Sequence, residues 1–469
     1  MLVVMKFGGT SVGSVAALEN VVHIVDGARQ QGDDVVVVVS AMSGVTNLLV
    51  EGARQAELGN TQPAKESYQE MLRRHSEVME NMLPAGSSRQ SVLTKVTDLL
   101  GEFDALCNSI CVLGELTPRA LDVIGGMGER MNVYQVAAIL QDRGVDAAPV
   151  ESTELIVTDA RHGAASPLVE PTSVKTRAVL SPLLAAGKVP VVTGFIGKSE
   201  EGTITTLGRG GSDYSATILG RALEADEVWI WTDVNGVMTT DPRIVPNART
   251  IPRLSYSEVG EMAYFGAKVL HPQSIRPVKQ SNIPVRILNT FEPDNPGTLV
   301  TKAADGSART IKAIAVIKDL SLVILEGAGM LGVPGVAART FGAVARTGTS
   351  VLMISQSSSE QSICFVVPTA EVQQAVAELG EEMSRELDRH DIDSIWTQDE
   401  IVIVAVVGAG MKGTPGIASQ VFGALGRERI NVIAVAQGSS EYNISIVISQ
   451  DDAEQAVRCL HEEAGLAEA

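Results

Sequence analysis

Cysteine is scarce in this chain, with only four residues among 469. They are Cys107, Cys111, Cys364 and Cys459, and no two of them form a C-x-x-C pair. A zinc site and a disulfide framework are therefore not expected. So low a cysteine content favours a reducing compartment, and we expect a cytoplasmic protein.

Positive charge is also in deficit, because 37 lysine and arginine residues stand against 56 aspartate and glutamate residues, giving a net charge of −19. This balance disfavours a nucleic-acid or anionic-membrane surface, although it leaves room for a local basic site. Long apolar runs are missing too, since "DVVVVVSAM" at 34–42 is far too short to span a bilayer. The chain starts directly with an apolar strand, so no secretory leader is expected.

A hydrophobic content of 45% over this length predicts a globular protein of two to four domains. In the first 300 residues, short apolar runs alternate with helical patterns. The predicted strands lie at 2–7, 34–40, 189–195, 227–233 and 283–289, and the predicted helices at 14–31, 63–83, 88–112, 171–187 and 212–224. This alternation predicts an α/β sandwich with a largely parallel sheet, and the small polar stretch at 302–312 is a plausible linker.

The last third of the chain contains an internal repeat, whose copies start at Gly327 and Gly408 with an offset of 81 residues and no gap. Each copy has the pattern strand, turn, helix, strand, turn, strand, which predicts two packed βαββαβ units. The copies open with "GAGMLG" and "GAGMKG", which match the dinucleotide pattern. A proline follows each motif and the next strand ends in glutamine rather than an acid, so we favour a helix-opening turn or a small polar ligand at the helix N-terminus.

Two glycine- and hydroxyl-rich turns follow early strands. In "KFGGTS", Lys6 and the amides of Gly8 and Gly9 are candidates for a phosphate cradle, although an ordinary tight turn explains the stretch as well. In "SAMSGVTN", Ser40 and Thr46 are candidates for a substrate carboxylate, and Thr46 is equally a candidate helix N-cap.

Two charged stretches follow further along the chain. In "GGMGERM", Glu129 and Arg130 fit either a surface ion pair or a buried glutamate that faces a substrate ammonium. In "TTLGRGGSDYSA", Arg209 is suited to a carboxylate, and Ser212 and Asp213 stand at a predicted helix start. An aspartate there is also common as a simple complement to the helix dipole.

A second polar cluster begins where the strand at 227–233 ends. "WTDVNGVMTTDPR" supplies Thr232 and Asp233 and then Arg243, while its Asn-Gly pair is explained by turn chemistry. "FGAKVLHP" places Lys268 between apolar residues, where a lysine is seldom found unless it is paired with an anion.

Seven of these motifs together resemble those of the aspartate kinases, which belong to the amino acid kinase family. They occur in the family's order and spacing, and they are "KFGGTSV", "SAMSGVTN", "GER", "TTLGRGGSDYSA", "WTDVNGV", "TTDPR" and "FGAKVLHP". The C-terminal part resembles a tandem pair of ACT regulatory units. The resemblance implies an amino-acid-kinase αβα sandwich over 1–301, a first ferredoxin-like ACT unit over 311–392 and a second over 393–469, with the strand at about 311–318 left open between the two.

The resemblance implies transfer of the γ-phosphoryl group of ATP to the side-chain carboxylate of L-aspartate, the first step toward lysine, threonine and methionine. The expected cofactor is Mg²⁺, held mainly by the nucleotide. The catalytic residues carried over are Lys6, Gly8, Gly9, Asp213 and Lys268. Those for the substrate are Ser40, Thr46, Glu129, Arg209 and Ser212. Those for the nucleotide are Lys6, Gly8, Gly9, Thr232, Asp233, Met238, Arg243, Lys268 and Val269. Many relatives have tyrosine at Met238, so loss of ring stacking is expected to affect ATP affinity.

The paired ACT units imply binding of an end-product amino acid and assembly into a homodimer or higher homo-oligomer. The candidate effector residues are Gln356, Asn431, Gln437 and Asn443. The glutamine after the second repeat strand favours threonine, and lysine, which would call for acids such as Glu360 or Glu441, is the alternative effector. No dehydrogenase segment follows Ala469, so a monofunctional enzyme is expected. Another enzyme of the amino acid kinase family and a non-catalytic amino-acid sensor remain the alternative functions.

Overall fold

The structure is a computed structural model that describes residues 1–265, 270–303, 310–357, 361–438 and 441–467. Lys268, Val269 and Glu360, three residues named above, lie outside the described residues, as does most of the predicted linker. The chain forms two compact units. The first consists of Met1–Val237, Thr250–Gly260 and Lys268–Asp305, and the second of Met238–Arg249, Glu261–Ala267 and Gly306–Ala469.

The second unit therefore includes two stretches, 238–249 and 261–267, that the sequence interpretation assigns to the catalytic domain. No described helix is both long and apolar enough to cross a membrane.

The first unit is built on a sheet of eight strands within the described part of the chain, in the order β3-β5-β2-β1-β8-β10-β11-β9, beside a small sheet of β4, β6 and β7. The strands are β1 (Leu2–Phe7), β2 (Asp34–Val39), β3 (Ala147–Val150), β4 (Val157–Thr158), β5 (Val189–Thr193), β6 (Ile196–Ser199), β7 (Ile204–Thr206), β8 (Glu227–Thr232), β9 (Arg253–Ser255), β10 (Val285–Asn289) and β11 (Thr298–Thr301). From β3 to β10 all neighbours are parallel, and β11 is antiparallel to β10. The predicted α/β architecture with a largely parallel sheet is confirmed.

The helices of the first unit include the five that the sequence predicts, and α3 and α4 pack on other helices. They are α1 (Val15–Gln30), α2 (Val45–Glu57), α3 (Gln62–Met82), α4 (Ser87–Leu113), α5 (Pro118–Gly125), α6 (Met127–Asp142), α7 (Val169–Ala185), α8 (Gly211–Leu223), α9 (Tyr256–Tyr264) and α10 (Pro272–Ser281), of which α9 ends in the second unit.

Local chemistry explains the central elements. Five residues of β1 and five of β2 are buried, and these runs are rich in valine, which suits strands that are covered on both faces. The helix α1 begins after Ser14, whose hydroxyl accepts a hydrogen bond from the Ala17 amide at 3.3 Å. Because β1 is parallel to both β2 and β8, the carboxyl ends of these three strands meet at one edge of the sheet.

The second unit contains both repeats on a single antiparallel sheet, whose described strands have the order β13-β14-β12-β15-β17-β16. Its elements are β12 (Ala313–Glu326), α11 (Val336–Arg346), β13 (Met353–Gln356), β14 (Ser362–Pro368), α12 (Val372–Glu382), α13 (Ser384–Asp388), β15 (Ser394–Val407), α14 (Ile417–Arg427), β16 (Ala434–Ala436), β17 (Asn443–Ser449) and α15 (Ala453–Glu463). Each GAGM turn leads to a helix two residues after the proline, as a helix-opening turn would.

The long strands β12 and β15 are shared between the repeats. The first part of β12, Ala313–Ile317, pairs with the end of β15, while Leu320–Glu326 pairs with both β14 and the start of β15. The register shifts between these parts, and Asp319 and Glu400, 81 residues apart, both have positive φ angles of 61° and 54°. The start of β12 thus lies beside strands of the second repeat, and the start of β15 lies beside strands of the first.

Candidate active site

The central feature of the site is a buried ion pair at the end of β1. Lys6 Nζ lies 2.6 Å from Asp213 Oδ1, and each side chain is less than one-seventh exposed. β1 has β2 on one side and β8 on the other, so the chain continues from β1 to one side of the sheet and later crosses to the other side. Ligands of α/β sheets bind at the carboxyl ends of strands where the strand order reverses in this way. The sequence prediction that brought Lys6 and Asp213 into one site agrees with this geometry.

Asp213 reaches Lys6 because of the turn that precedes α8. Gly210, the residue before the helix, has a φ of 68°, and a Cβ atom there would lie only 2.6 Å from His271 Cβ. Both observations require glycine. Asp213 then falls in the first turn of α8, where the helix dipole also favours its negative charge.

The two glycines after Lys6 have different roles. The Gly8 amide donates a hydrogen bond to the Trp231 carbonyl at 3.1 Å, so the prediction that both amides stabilise a phosphate is wrong for Gly8. A Cβ atom on Gly9 would lie 2.9 Å from the Ala41 carbonyl oxygen, so glycine is needed for the loop after β2 to approach closely. Of the pair, Gly9 remains the candidate for an anion contact.

Glu129 is a buried carboxyl group in the first turn of α6. Its exposed fraction is 4%, and its Oε2 atom has no hydrogen-bond partner among the described residues. Burial raises its pKa to about 8, and the Ala41 amide and the charge of Lys6 oppose part of this rise. The surface-ion-pair interpretation is wrong, because Arg130 pairs instead with Glu151 at 3.0 Å.

The loop after β2 carries the next two predicted residues. Asn132, fully buried and three residues after Glu129 on the same face of α6, donates to the Ser40 carbonyl at 2.7 Å. Helix α2 begins at Val45, and its cap residue is Gly44 with a φ of 82°. The interpretation of Thr46 as the helix N-cap is therefore wrong, and its hydroxyl remains a candidate for a ligand.

Arg209 and Ser212 lie on either side of the Gly210 turn. Arg209 is exposed, and no acidic partner is found for it in the part of the chain that the structure describes. Burial of His271 lowers the pKa of that imidazole, and the positive charge of Arg209 lowers it further. Ser212 packs closely on Gly194, where a Cβ atom would lie 2.7 Å from its Oγ atom. Both predicted residues thus adjoin the helix turn that holds Asp213.

Sequence reasoning missed Asp122, which secures the strand that leads to Arg209. This carboxylate in α5 is only 2% exposed and accepts hydrogen bonds from the Thr206 hydroxyl and from the Gly163 amide at 3.0 Å. His162 Nδ1 lies 2.6 Å from its other oxygen. An isolated aspartate in a helical pattern carries no signal of this role, and neither does Asn132.

The predicted nucleotide residues are divided between the two units. Thr232 ends β8 in the first unit, beside the end of β1, and Asp233 follows it. The Thr232 hydroxyl lies 3.2 Å from Asp233 Oδ1. Met238 and Arg243 belong to the second unit, where the Arg243 guanidinium pairs with Asp241 at 2.6 Å. Thr232 and Asp233 therefore share one unit with Lys6, whereas Met238 and Arg243 do not.

The predicted effector residues all belong to the second unit. Gln356 ends β13, Gln437 follows β16, and both are exposed, as is Asn431. Asn443 is 8% exposed and donates to the Glu261 carboxylate. Glu441, an acid considered for a lysine effector, accepts a hydrogen bond from the Gly413 amide at 2.8 Å.

Metal-binding clusters were searched for separately. Within the described ranges, no three histidine, cysteine, aspartate or glutamate side chains are grouped to hold a metal ion.

Comparisons with known proteins give two family matches. Residues 1–289 match the model of the amino acid kinase family, and residues 323–383 and 404–464 match an ACT domain. A chloroplastic bifunctional aspartokinase/homoserine dehydrogenase of Daucus carota is 36% identical over 97% of this chain and 50% of its own length. The chain thus spans about half the length of the bifunctional relatives that it matches.

Two further proteins match along almost their whole length. An aspartate kinase of Pseudomonas putida is 35% identical over 98% of this chain and 96% of its own. Aspartokinase III of E. coli is 31% identical over 99% of both chains, with TM-scores of 0.83 for its complex with aspartate and ADP (R-state) and 0.77 for its complex with lysine and aspartate (T-state). The chain, with its buried Lys6–Asp213 pair and its two ACT domains, belongs to the amino acid kinase family.

Proposed function

We propose that this chain is an aspartate kinase, which transfers the γ-phosphoryl group of ATP to the side-chain carboxylate of L-aspartate and forms 4-phospho-L-aspartate. The E. coli relative was solved with aspartate and ADP, and the Pseudomonas putida relative carries the same activity in its name. The product would be the first intermediate toward lysine, threonine and methionine.

The observation that carries the proposal is that a buried carboxyl group, Glu129, lies near a buried ammonium group, Lys6. Glu129 has an unpartnered carboxylate oxygen, and the charge of Lys6 is close enough to lower its pKa. Ionising a buried carboxyl group whose Oε2 atom has no partner is costly, so a ligand ammonium would stabilise the ionised form. An α-amino acid with a second carboxylate offers an ammonium for Glu129 and an anion for the cations of the site.

The chemistry requires little from the protein beyond position and charge. A carboxylate is already a nucleophile at neutral pH, so no general base is needed. The barrier is the approach of two anions, which is lowered by fixed positive charge and by alignment. Lys6 would stabilise the charge on the phosphoryl group together with the Gly9 amide, and Asp213 would hold the Lys6 ammonium in place through their 2.6 Å contact.

The substrate would be held by groups on several elements. Arg209 would bind the α-carboxylate in a bidentate manner, and Glu129 the ammonium. Ser40, Thr46 and Ser212 carry hydroxyls suited to orient the reacting carboxylate.

The nucleotide would lie on the side of β8. Thr232 and Asp233 are the candidates in the first unit. The sequence predictions for Met238 and Arg243 of the second unit, and for Lys268 and Val269 outside the described residues, stay predictions. Mg²⁺, when bound, would neutralise phosphate charge. Because the described side chains offer no cluster of three ligands, we propose that the nucleotide phosphates and water hold it.

We further propose that the ACT domains bind an amino-acid effector and join two or more copies of the chain. Gln356, Gln437 and Asn431 are exposed and suit a hydroxyl-bearing effector such as threonine. Glu441, which would suit lysine, is already hydrogen-bonded to a backbone amide. The lysine complex of E. coli aspartokinase III keeps lysine as the alternative.

An assay coupled to ADP release tests the proposal on the full chain with Mg-ATP. We expect turnover with L-aspartate and much less with L-glutamate, succinate or a nucleoside monophosphate. Succinate is the decisive comparison, because it has both carboxylates but no ammonium for Glu129. No ADP release at millimolar aspartate would overturn the proposal, and equal rates with succinate would overturn the role of Glu129. Threonine and lysine, added separately and together, identify the effector.

A further inference from the structure

A groove on the first unit lies apart from the residues discussed above. It runs between α7, α8 and α10, encloses about 270 Å³, and is lined by eleven residues. None of these eleven is acidic, although the whole chain has 19 more acidic than basic side chains. Two arginines, Arg221 and Arg276, are among them. Such a local excess of positive charge in an acidic protein calls for an explanation.

The two arginines and the tyrosine of the groove come from two helices. Arg221 and Tyr214 come from α8, and Arg276 comes from α10. Burial raises the pKa of Tyr214, and the charges of Arg276 and Arg221 oppose this rise, so both guanidinium groups lie within electrostatic reach of its hydroxyl. Arg221 donates to Gln280, and neither arginine forms an ion pair with any residue that the structure describes.

An apolar wall completes the groove. Pro167, Ile218 and Pro277 contribute to it, and Val169 is 46% exposed at its edge. The groove therefore combines two guanidinium groups with apolar surface, which is the usual composition of a small-molecule site.

The site is bounded on one side by acidic residues. Beyond Arg221 the surface continues past Glu170 and Glu224, and Arg177 there is paired with Glu224 at 2.7 Å. Arg221 lines both surfaces, whereas Arg276 and Tyr214 line only the groove, so the positive charge farthest from these acids lies near Tyr214 and Arg276.

We propose that this groove binds a small organic anion that has an apolar body and carries no ammonium group. Guanidinium groups bind carboxylates and phosphates in a bidentate manner, and the Tyr214 hydroxyl is a further donor. An amino acid is excluded, because no lining residue supplies a carboxylate for its ammonium. The volume suits a ligand of metabolite size rather than a nucleotide. The proposal is independent of the reaction at Lys6.

Titration calorimetry on the full chain tests this with four probes that share one ring: phenyl phosphate, benzoate, benzamide and benzylamine. We expect the two anions to bind, and the neutral and cationic probes to bind at least about tenfold more weakly, a difference of roughly 1.4 kcal/mol. The ratio between phenyl phosphate and benzoate shows which anionic group the site prefers.

Variants identify the place of binding. Arg276→Gln and Arg221→Gln should each weaken the binding of the preferred anion by about tenfold or more. Lys279→Gln removes the same charge from the exposed face of α10 outside the groove and should leave binding unchanged. Lys6→Met removes the cation of the candidate active site and should also leave it unchanged.

Three results would overturn the proposal. The first is no heat of binding for either anion, and the second is that Lys279→Gln weakens anion binding as much as Arg276→Gln does. The third is that Lys6→Met abolishes anion binding while Arg276→Gln leaves it unchanged. Since both arginines lie at the groove surface rather than in the core, thermal unfolding of each variant checks that the chain remains folded.

Discussion

The Asn443 side-chain amide donates a hydrogen bond to the Glu261 carboxylate, 182 residues away in sequence. Three residues further along α9, the Tyr264 hydroxyl donates to the Leu352 carbonyl at 2.9 Å, just before β13. Both repeats are therefore tied to the last turn of α9 close to candidate effector residues. In sequence, Glu261 stands only seven residues before Lys268, a proposed catalytic residue.

This relationship predicts the response of a Glu261→Ala variant to effector. Asn443 has to exchange its bond to Glu261 for a bond to the ligand, and hydrogen bonds to charged groups contribute about 1.5–3 kcal/mol. Removing the carboxylate should therefore lower the half-inhibitory threonine concentration by roughly tenfold. Inhibition curves at fixed ATP and aspartate measure this. Glu454→Gln, on the exposed Glu454–Arg458 pair of α15, is the control. An unchanged half-inhibitory concentration in Glu261→Ala would contradict the competition.

Lys6→Ala should reduce kcat far more than it weakens aspartate binding. The variant removes a preorganised charge that acts on the phosphoryl group during transfer, and losses of this kind are about 10² to 10³ in kcat. Steady-state kinetics with varied aspartate separates kcat from KM. Lys198→Ala, at an exposed lysine, should behave like the parent chain. A kcat within a factor of about two of the parent would remove Lys6 from the reaction.

Much of the fold could be predicted because its signals are local. The valine runs of β1 and β2 and the turn after Lys6 are determined by neighbours in sequence. The 81-residue repeat likewise predicts its own strands and helices. The sequence left open which repeat the strand at about 311–318 joins, because its pairing with the end of β15 depends on contacts across the whole second unit.

The parts of the site that the sequence left open or missed depend on contacts distant in sequence. The sequence offered two interpretations of Glu129, a surface ion pair with Arg130 or a buried group facing an ammonium, and only the packing of α6 on the loop after β2 distinguishes them. Asp122 contacts Thr206 across 84 residues, and Asn132 contacts Ser40 across 92. No local periodicity encodes such pairs, so burial and partners had to come from the structure.

Asp122→Asn should destabilise the first unit and weaken aspartate binding together. The carboxylate accepts hydrogen bonds from Thr206, from Gly163 and from the His162 side chain, and an amide would turn one acceptor into a donor facing donors. Leaving buried donors unsatisfied costs about 1–3 kcal/mol. Because this cluster secures the strand before Arg209, KM for aspartate should rise as well.

Urea unfolding and steady-state kinetics measure the two effects of Asp122→Asn. Asp142→Asn, at an exposed aspartate whose partner is the adjacent Arg143, is the matched control. If both variants unfold at the same urea concentration, the cluster contributes nothing measurable. If stability falls while KM stays constant, the link to Arg209 is wrong.

The raised pKa of Glu129 predicts how aspartate binding depends on pH. In the ligand-free chain this carboxyl has a pKa of about 8, so it is mainly protonated at neutral pH. An ammonium ligand binds the ionised form, and the ionised fraction grows about tenfold per pH unit below the pKa. KM for aspartate should therefore fall as the pH rises from about 6 to 8 and level off above it.

The same group affects stability with the opposite trend. Its folded pKa of about 8 lies above its ordinary value of 4.5, so the unfolded chain binds fewer protons between these values. The free energy of unfolding of the ligand-free chain should decrease as the pH rises from about 4.5 to 8 and change no further above 8 through this group. Glu129→Gln should remove both dependences while raising KM for aspartate. A KM that is constant between pH 6 and 8 in the parent chain would show that Glu129 does not bind the ammonium, because the ionised fraction of Glu129 changes across this range.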